Sequence, residues 1–139
     1  MTILQNTIIF GGTGYIGSHV AEQLIIAGEK VTAVVRHSSN TAFLEKIGAD
    51  ILRIDFNDDA QITASIAADS VVYNCLAEPK IHNSDANMRK VEIDLTTRVL
   101  KAAAKACAKK FVQLSSIQAY GFERPSEAID EQWPLKPTY

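Results

Sequence analysis

Five short apolar runs, Thr7–Phe10, Val31–Val35, Ile51–Ile54, Val71–Cys75 and Phe111–Leu114, punctuate a chain whose other apolar residues recur at three- and four-residue steps. Runs of this length are rich in β-branched residues and are strands, while the stretches between them carry a helical period. A strand that follows a helix re-enters its sheet in the same direction, so the alternation demands parallel pairing through crossovers, which are nearly always right-handed. The architecture expected is α/β, a three-layer doubly wound parallel sheet of five strands and four helices. Each run is read as a strand covered by helices on both faces.

Local signals place the boundaries. Helix one runs through Val20, Leu24, Ile25 and Ala27 and ends at Gly28, and a short second helix over about Thr41–Ile47 ends at Gly48. Asn57, Asp58 and Asp59 offer N-cap side chains to a third helix through Ile62 and Ile66. Val91, Leu95, Val99, Ala102, Ala103 and Ala106 predict one long helix from about Ala86 to Ala108. Glu78–Asp85 reads as a loop, and from Gln118 onward Gly121, Pro125, Pro134 and Pro137 predict loop with a helical turn.

Composition narrows the function classes. The 139 residues suit one domain, and 47% apolar with 22% charged residues is ordinary for a globular chain. Lys and Arg total 14 against 16 Asp and Glu, a net charge of −2, so no basic surplus draws the chain to phosphate backbones and no nucleic acid partner is expected. No secretory signal and no apolar run of membrane-spanning length is visible, so no membrane association and a cytoplasmic location are the expectation. Cys75 and Cys107 are expected to be small buried hydrophobes. His19, His37 and His82 lack ligand spacing, so no metal is expected.

The first strand runs straight into Gly11-Gly12-Thr13-Gly14-Tyr15-Ile16-Gly17, with glycines spaced GxxGxxG at the mouth of a helix. In this strand–turn–helix context the spacing is a dinucleotide fingerprint. Gly11 makes the tight turn, Gly14 admits the phosphates, and Gly17 lets the helix pack on the sheet. Tyr15 and Ile16 open the helix, whose free amides hold a pyrophosphate. The alternative is a glycine-rich turn with no ligand. A triphosphate-binding loop needs Gly-Lys-Ser/Thr, and this turn ends Ile16-Gly17-Ser18.

The end of strand two discriminates the two nicotinamide dinucleotides, because an acid about 20 residues past the turn accepts from the ribose hydroxyls. Here the position holds Arg36, followed by His37, Ser38 and Ser39. A guanidinium with neighbouring hydroxyls suits a 2′-phosphate, which makes NADP the preferred cofactor and NAD the alternative. Arg36 as a solvated loop cation is the competing reading. At the end of strand three Asp55 is placed to accept from the adenine amino group and Phe56 to wall the base, unless Asp55 is only a turn cap.

Strand five ends Leu114-Ser115-Ser116, followed by Ile117-Gln118-Ala119-Tyr120-Gly121. Taken with the glycine turn, Ile54-Asp55-Phe56, Leu76-Ala77 and the Val99–Ala104 helix, this order resembles the extended short-chain dehydrogenase/reductases, specifically the NAD-dependent epimerase/dehydratase family, over essentially the whole chain. The resemblance implies a Rossmann fold, a nicotinamide dinucleotide and a nucleotide-sugar or other hydroxyl- or carbonyl-bearing substrate. It implies hydride transfer with Ser116 as the catalytic hydroxyl and Tyr139 as the proton-transferring phenol, and it puts Leu76 and Ala77 beside the cofactor.

Some positions depart from the family pattern. Phe10 stands where many members have Thr, Asn74 where a His is common, and Glu92 and Leu95 where Asn and Gly are frequent. The lysine of the family's Tyr-x-x-x-Lys would fall four residues past Tyr139, so the sequence is expected to be the incomplete N-terminal portion, residues 1–139, of a Rossmann domain and inactive alone. A homodimer through the long helix is a further expectation. The alternative is a non-catalytic sensor or interaction module of the NmrA-like type, which also pairs a glycine turn with Arg after strand two. Ser115-Ser116 and Tyr120-Gly121 argue against it.

Overall fold

In the computed structural model, which describes residues 6–78, 85–121, 126 and 128–136, the five runs form one sheet. Its strands are β1 (Asn6–Phe10), β2 (Lys30–Arg36), β3 (Asp50–Ile54), β4 (Val71–Asn74) and β5 (Lys110–Gln113), in spatial order β3-β2-β1-β4-β5. All four pairings are parallel, and Ile9 of β1 lies opposite Ala33 of β2 and Tyr73 of β4. The chain winds outward from β1 through β2 to β3, then crosses back to β4 and on to β5. That reversal leaves a crevice at the carboxyl ends of β1 and β4, where sheets of this winding bind ligands.

Alternation along β1 divides the core between two faces. Ile8 and Phe10 join Val34, Ile54 and Val72 beneath Ile62 and Ile66 and beneath Val99, Ala102 and Ala103. Ile9 faces the other way, with Ala33, Val35, Ala21 and Leu44. The first face is covered by α3 (Asp59–Ala64) and α5 (Thr96–Lys105), the second by α1 (Tyr15–Ile26) and α2 (Ala42–Lys46). Each fully buried Ile, Leu or Phe contributes roughly 1.5–3 kcal/mol, so the central strands are the most firmly held part of the sheet.

The expected helix ends are present. The amides of Gly28 and Glu29 bond back to the Ile25 and Leu24 carbonyls to close α1, and those of Gly48 and Ala49 do the same for α2. Asp58 is the N-cap of α3, its carboxylate accepting from the amides of Ala60 and Gln61. These bonds, led by one from the Gln61 side chain, hold the Asp58 carboxyl below its ordinary range.

Three expectations are corrected. The long helix is not a continuous α-helix from Ala86 to Ala108. A short helix α4 (Asp85–Met88) leads into a π-helical segment, Arg89–Leu95, and α5 ends at Lys105. At the junction the Thr96 hydroxyl donates to the Val91 carbonyl, five residues back, at 3.5 Å, and accepts from Asn74 Nδ2 at 3.2 Å. This polar tie to β4 coincides with the widened turn, a feature that hydrophobic spacing does not encode.

Cys107 is exposed rather than buried, and Cys75 is half-buried. Cys107 takes φ +57° just past α5, where the chain reverses and the Ala108 amide bonds back to the Ala103 carbonyl. Finally, β3 is an edge strand, with Leu52 and Arg53 exposed, so it is not covered on both faces. After β5, Ile117–Tyr120 forms a 3-10 turn, and the chain returns so that the Lys136 amide bonds to the Ala119 carbonyl at 3.0 Å.

Candidate functional site at the carboxyl edge of the sheet

The glycine turn sits on the carboxyl end of β1, against the chain leaving β4. Gly11 has φ +77°, and a Cβ there would lie 2.6 Å from the carbonyl carbon and oxygen of Cys75 and 2.8 Å from the Leu76 nitrogen. Backbone on backbone cannot yield, so this position requires glycine for both conformation and space. At Gly17 a Cβ would run into the Gly11 carbonyl oxygen and lie 2.8 Å from the Gly11 carbonyl carbon. Gly17 therefore seats the helix on the turn itself, a correction to the expected contact with the sheet. Gly12, not singled out by the glycine spacing, is buried, and a Cβ there would lie 3.3 Å from the Ile9 side chain.

Gly14 is the N-cap of α1, and no side chain caps the helix. No acidic residue occupies the first turn. The leading amides of a helix have no intrahelical partner and carry its positive end, so an anion fits here electrostatically. Gly14, Tyr15 and Ile16 are all exposed, Tyr15 to 83%, which leaves the approach open. The Tyr15 ring stands 4.9 Å from that of His19, and the Tyr15 carbonyl accepts from the Ser18 hydroxyl at 2.9 Å. The turn thus has the three properties a pyrophosphate needs: close backbone, free donors and access.

On one side of the turn lie the ends of β2 and β3. Arg36 closes β2 opposite Ile54 and is exposed, as are His37 and Ser38. Asp55 is exposed too, and its Oδ1 accepts from the amide of Asn57 at 2.8 Å and from Asn57 Nδ2 at 3.0 Å. One carboxylate oxygen thus shapes the turn, while Oδ2 makes no hydrogen bond among the described residues. The Phe56 ring packs 6.1 Å from that of buried Phe10, which holds it half-buried at the strand end.

On the other side lie the ends of β4 and β5. The Cys75 amide extends the ladder to the Phe10 carbonyl at 2.9 Å, and the Leu114 amide reaches the Asn74 carbonyl at 3.0 Å. Leu76 is partly buried against the core and Ala77 is exposed at the mouth of the crevice. Desolvation pushes the Cys75 thiol pKa upward, so it is a poor nucleophile. Ser116 is exposed and caps the 3-10 turn, its Oγ accepting from the Gln118 amide at 3.2 Å. The hydroxyl hydrogen is donated to nothing among the described residues. Tyr139 lies outside the described residues.

Two side chains that the sequence patterns did not single out for roles bound the site. Asn74 is completely buried at the end of β4; its Nδ2 donates to Thr96 Oγ1 at 3.2 Å and Gln113 Oε1 at 2.8 Å, while its Oδ1 has no partner among the described residues. Arg53 of β3 reaches across the end of β2 to the loop that follows Arg36. A polar residue inside an apolar run, as both are, was the available signal. No described helix is long and apolar enough to cross a membrane.

The family model described as the NAD dependent epimerase/dehydratase family matches residues 7–139. Sterol demethylase protein B of Methylococcus capsulatus is 27% identical over 134 residues, which cover 96% of this chain and 40% of that protein. A short-chain dehydrogenase/reductase superfamily protein of Agrobacterium tumefaciens, solved with bound NAD, matches with a TM-score of 0.76 at 25% identity over 97% of this chain and 40% of the other. UDP-glucose-4-epimerase from Stenotrophomonas maltophila, solved with NAD and formylated UDP-arabinopyranose, matches in fold with a TM-score of 0.81 at 23% identity, over 95% and 43%. The chain spans about 40% of the length of the curated relatives it matches first.

Proposed function

Because the chain belongs to the NAD-dependent epimerase/dehydratase family, we propose that it is the dinucleotide-binding part of an enzyme that moves a hydride to or from a hydroxyl- or carbonyl-bearing substrate. The observation that carries this reading is the Gly11–Gly17 turn, which opens α1 without a side-chain cap and is set in the crevice by contacts only glycine allows. NAD bound to the two solved relatives supports the cofactor class. The finer choice of NADP rests on exposed Arg36, with Ser38 beside it, where an acid would accept from an unphosphorylated ribose.

The nicotinamide, when bound, supplies the hydride acceptor or donor. The chain's own residues divide the remaining work. The amides of Tyr15, Ile16 and Gly17 hold the pyrophosphate, Asp55 and Phe56 receive the adenine, and Leu76 and Ala77 flank the far half of the cofactor. Ser116 accepts the Gln118 amide, which orients its lone pairs and leaves its proton to bond a substrate oxygen. Tyr139 transfers the proton, in a segment that begins just after Lys136 has bonded back to Ala119. A phenol whose ordinary pKa is about 10 needs a nearby cation for this work, and the family's lysine is the residue suited to it. A nucleotide sugar is the substrate class proposed, with the remainder of a longer protein supplying its pocket.

Turnover measurements on the protein that contains this chain test the assignment. Ser116→Ala and Tyr139→Phe are each expected to lower kcat by about 10²–10⁴-fold, the usual contribution of a positioned acid–base group, with dinucleotide Kd unchanged. A wild-type protein that binds the dinucleotide yet reduces or epimerises none of a panel of nucleotide sugars and carbonyl substrates is instead a non-catalytic binding module.

A further inference from the structure

Arg53 lies on edge strand β3 opposite Val35 of β2, and its guanidinium turns toward the loop leaving β2. Its Nη1 lies 2.9 Å from the His37 carbonyl oxygen, 3.0 Å from that of Ser39 and 3.3 Å from that of Arg36. Its Nη2 donates to Thr41 Oγ1 at 2.9 Å, and the Thr41 hydroxyl in turn donates a hydrogen bond to Glu45 Oε1 at 2.9 Å. The Ser39 amide bonds back to the Arg36 carbonyl at 3.0 Å and closes a turn around this cation.

Three carbonyl dipoles pointing at one place repel each other unless a cation sits among them, and Nη1 is that cation. Without it the turn has every reason to open and rotate its carbonyls to water. The outward face of the same turn carries Arg36, His37 and Ser38, all exposed, and none of these side chains makes a hydrogen bond to the described residues. The inner face is thus fixed by one residue from the neighbouring strand, while the outer face is a set of uncommitted donors.

We propose that Arg53 is a positioning residue for cofactor choice, gathering the backbone of the β2–α2 loop so that Arg36 and Ser38 meet a phosphate on the adenosine ribose together. The inference rests on the reading of Arg36 as the 2′-phosphate ligand. Arg53 acts through the loop and without touching the phosphate, so its loss removes the discrimination between NADPH and NADH and leaves the pyrophosphate and adenine contacts in place.

Fluorescence titrations of NADPH and NADH, with hydrogen exchange of the amides of residues 37–40 in the unliganded chain, test this on the wild type, Arg36→Met, Arg53→Met and Thr41→Val. The wild type is expected to favour NADPH by about tenfold or more, as one charge-assisted contact provides. Arg53→Met is expected to lose most of that preference with NADH affinity within about twofold, while the loop amides exchange about tenfold faster. Thr41→Val moves both quantities in the same direction by less, and it decides the matter if thermal melting shows Arg53→Met to be unfolded.

Preference retained in Arg53→Met despite faster exchange overturns the inference, because the clamp is then structural only. Preference lost with exchange unchanged also overturns it, because Arg53 then contacts the phosphate directly. Equal wild-type affinity for the two dinucleotides removes the Arg36 reading and this inference with it. Loss of preference in Arg36→Met but not in Arg53→Met or Thr41→Val overturns the clamp alone.

Discussion

Replacing Gly11 by alanine, with Gly28→Ala as its partner experiment, separates two reasons for a glycine. Both positions have positive φ, +77° and +88°, so both substitutions place an L side chain in the left-handed region. That conformation costs roughly 1–2 kcal/mol, offset by the roughly 0.4–1 kcal/mol gained when the unfolded chain loses freedom. At Gly28 nothing lies within 4 Å of the added Cβ, so the net loss there is about 1 kcal/mol. At Gly11 the Cβ meets the Cys75 carbonyl at 2.6 Å and the Leu76 nitrogen at 2.8 Å, and none of those atoms belongs to a movable side chain. Overpacking of that kind adds about 1–3 kcal/mol, for a total of about 2–4 kcal/mol. Urea unfolding followed by circular dichroism measures both, against a stability of about 5–15 kcal/mol typical of a domain. Relief of the clash lifts the turn off the chain leaving β4, so Gly11→Ala also weakens dinucleotide binding by about tenfold or more, whereas Gly28→Ala, at the far end of α1, leaves it unchanged. Equal destabilisation by the two substitutions would refute the claim that the backbone leaving β4, at Cys75 and Leu76, fixes the turn.

Three further outcomes follow from particular contacts. Cys107→Gly relieves a left-handed non-glycine residue with φ +57° at the end of α5, and is expected to raise stability by roughly 0.5–1 kcal/mol, or about 2–4 °C in Tm by calorimetry. The Asp58 carboxyl is held below its ordinary value of 3.8, so its stabilising effect is complete above that value and is lost as pH falls through the lower folded value. The gap in urea midpoint between wild type and Asp58→Ala is therefore constant above about pH 5 and narrows on acidification below about pH 4; a gap undiminished at pH 2 contradicts the N-cap account. Arg36→Asp puts an acceptor where the proposed site would receive the ribose hydroxyls, and competitive titration is expected to show the preference moving toward NADH.

The sequence carried the architecture because the architecture is a matter of periodicity. β1 alternates Ile8, Ile9 and Phe10 between two core clusters, and Gly28, Gly48 and Asp58 mark helix ends through local chemistry that depends on few neighbours. The glycine turn was legible for the same reason, although the partner of Gly17 proved to be the Gly11 carbonyl rather than the sheet. Features that depend on residues distant in the chain were not legible. The π segment sits beside a tie between Thr96 and Asn74, 22 residues apart, and the β2–α2 loop is gathered by Arg53, which its position within an apolar run only hinted at. Cys107 was misread because an apolar neighbourhood in sequence says nothing about a chain reversal that turns the residue outward. Of the two residues proposed for chemistry, Ser116 has a described environment and Tyr139 lies outside the described residues.

Isothermal titration of NADPH and NADH into the 139-residue chain tests most directly whether the carboxyl edge of this sheet is a dinucleotide site. The account predicts saturable binding of one molecule per chain, tighter for NADPH, and abolished or sharply weakened by Gly11→Ala. A chain that is folded by circular dichroism and takes up neither dinucleotide at concentrations of about 1 mM, where a pyrophosphate held by a helix terminus must register, contradicts it.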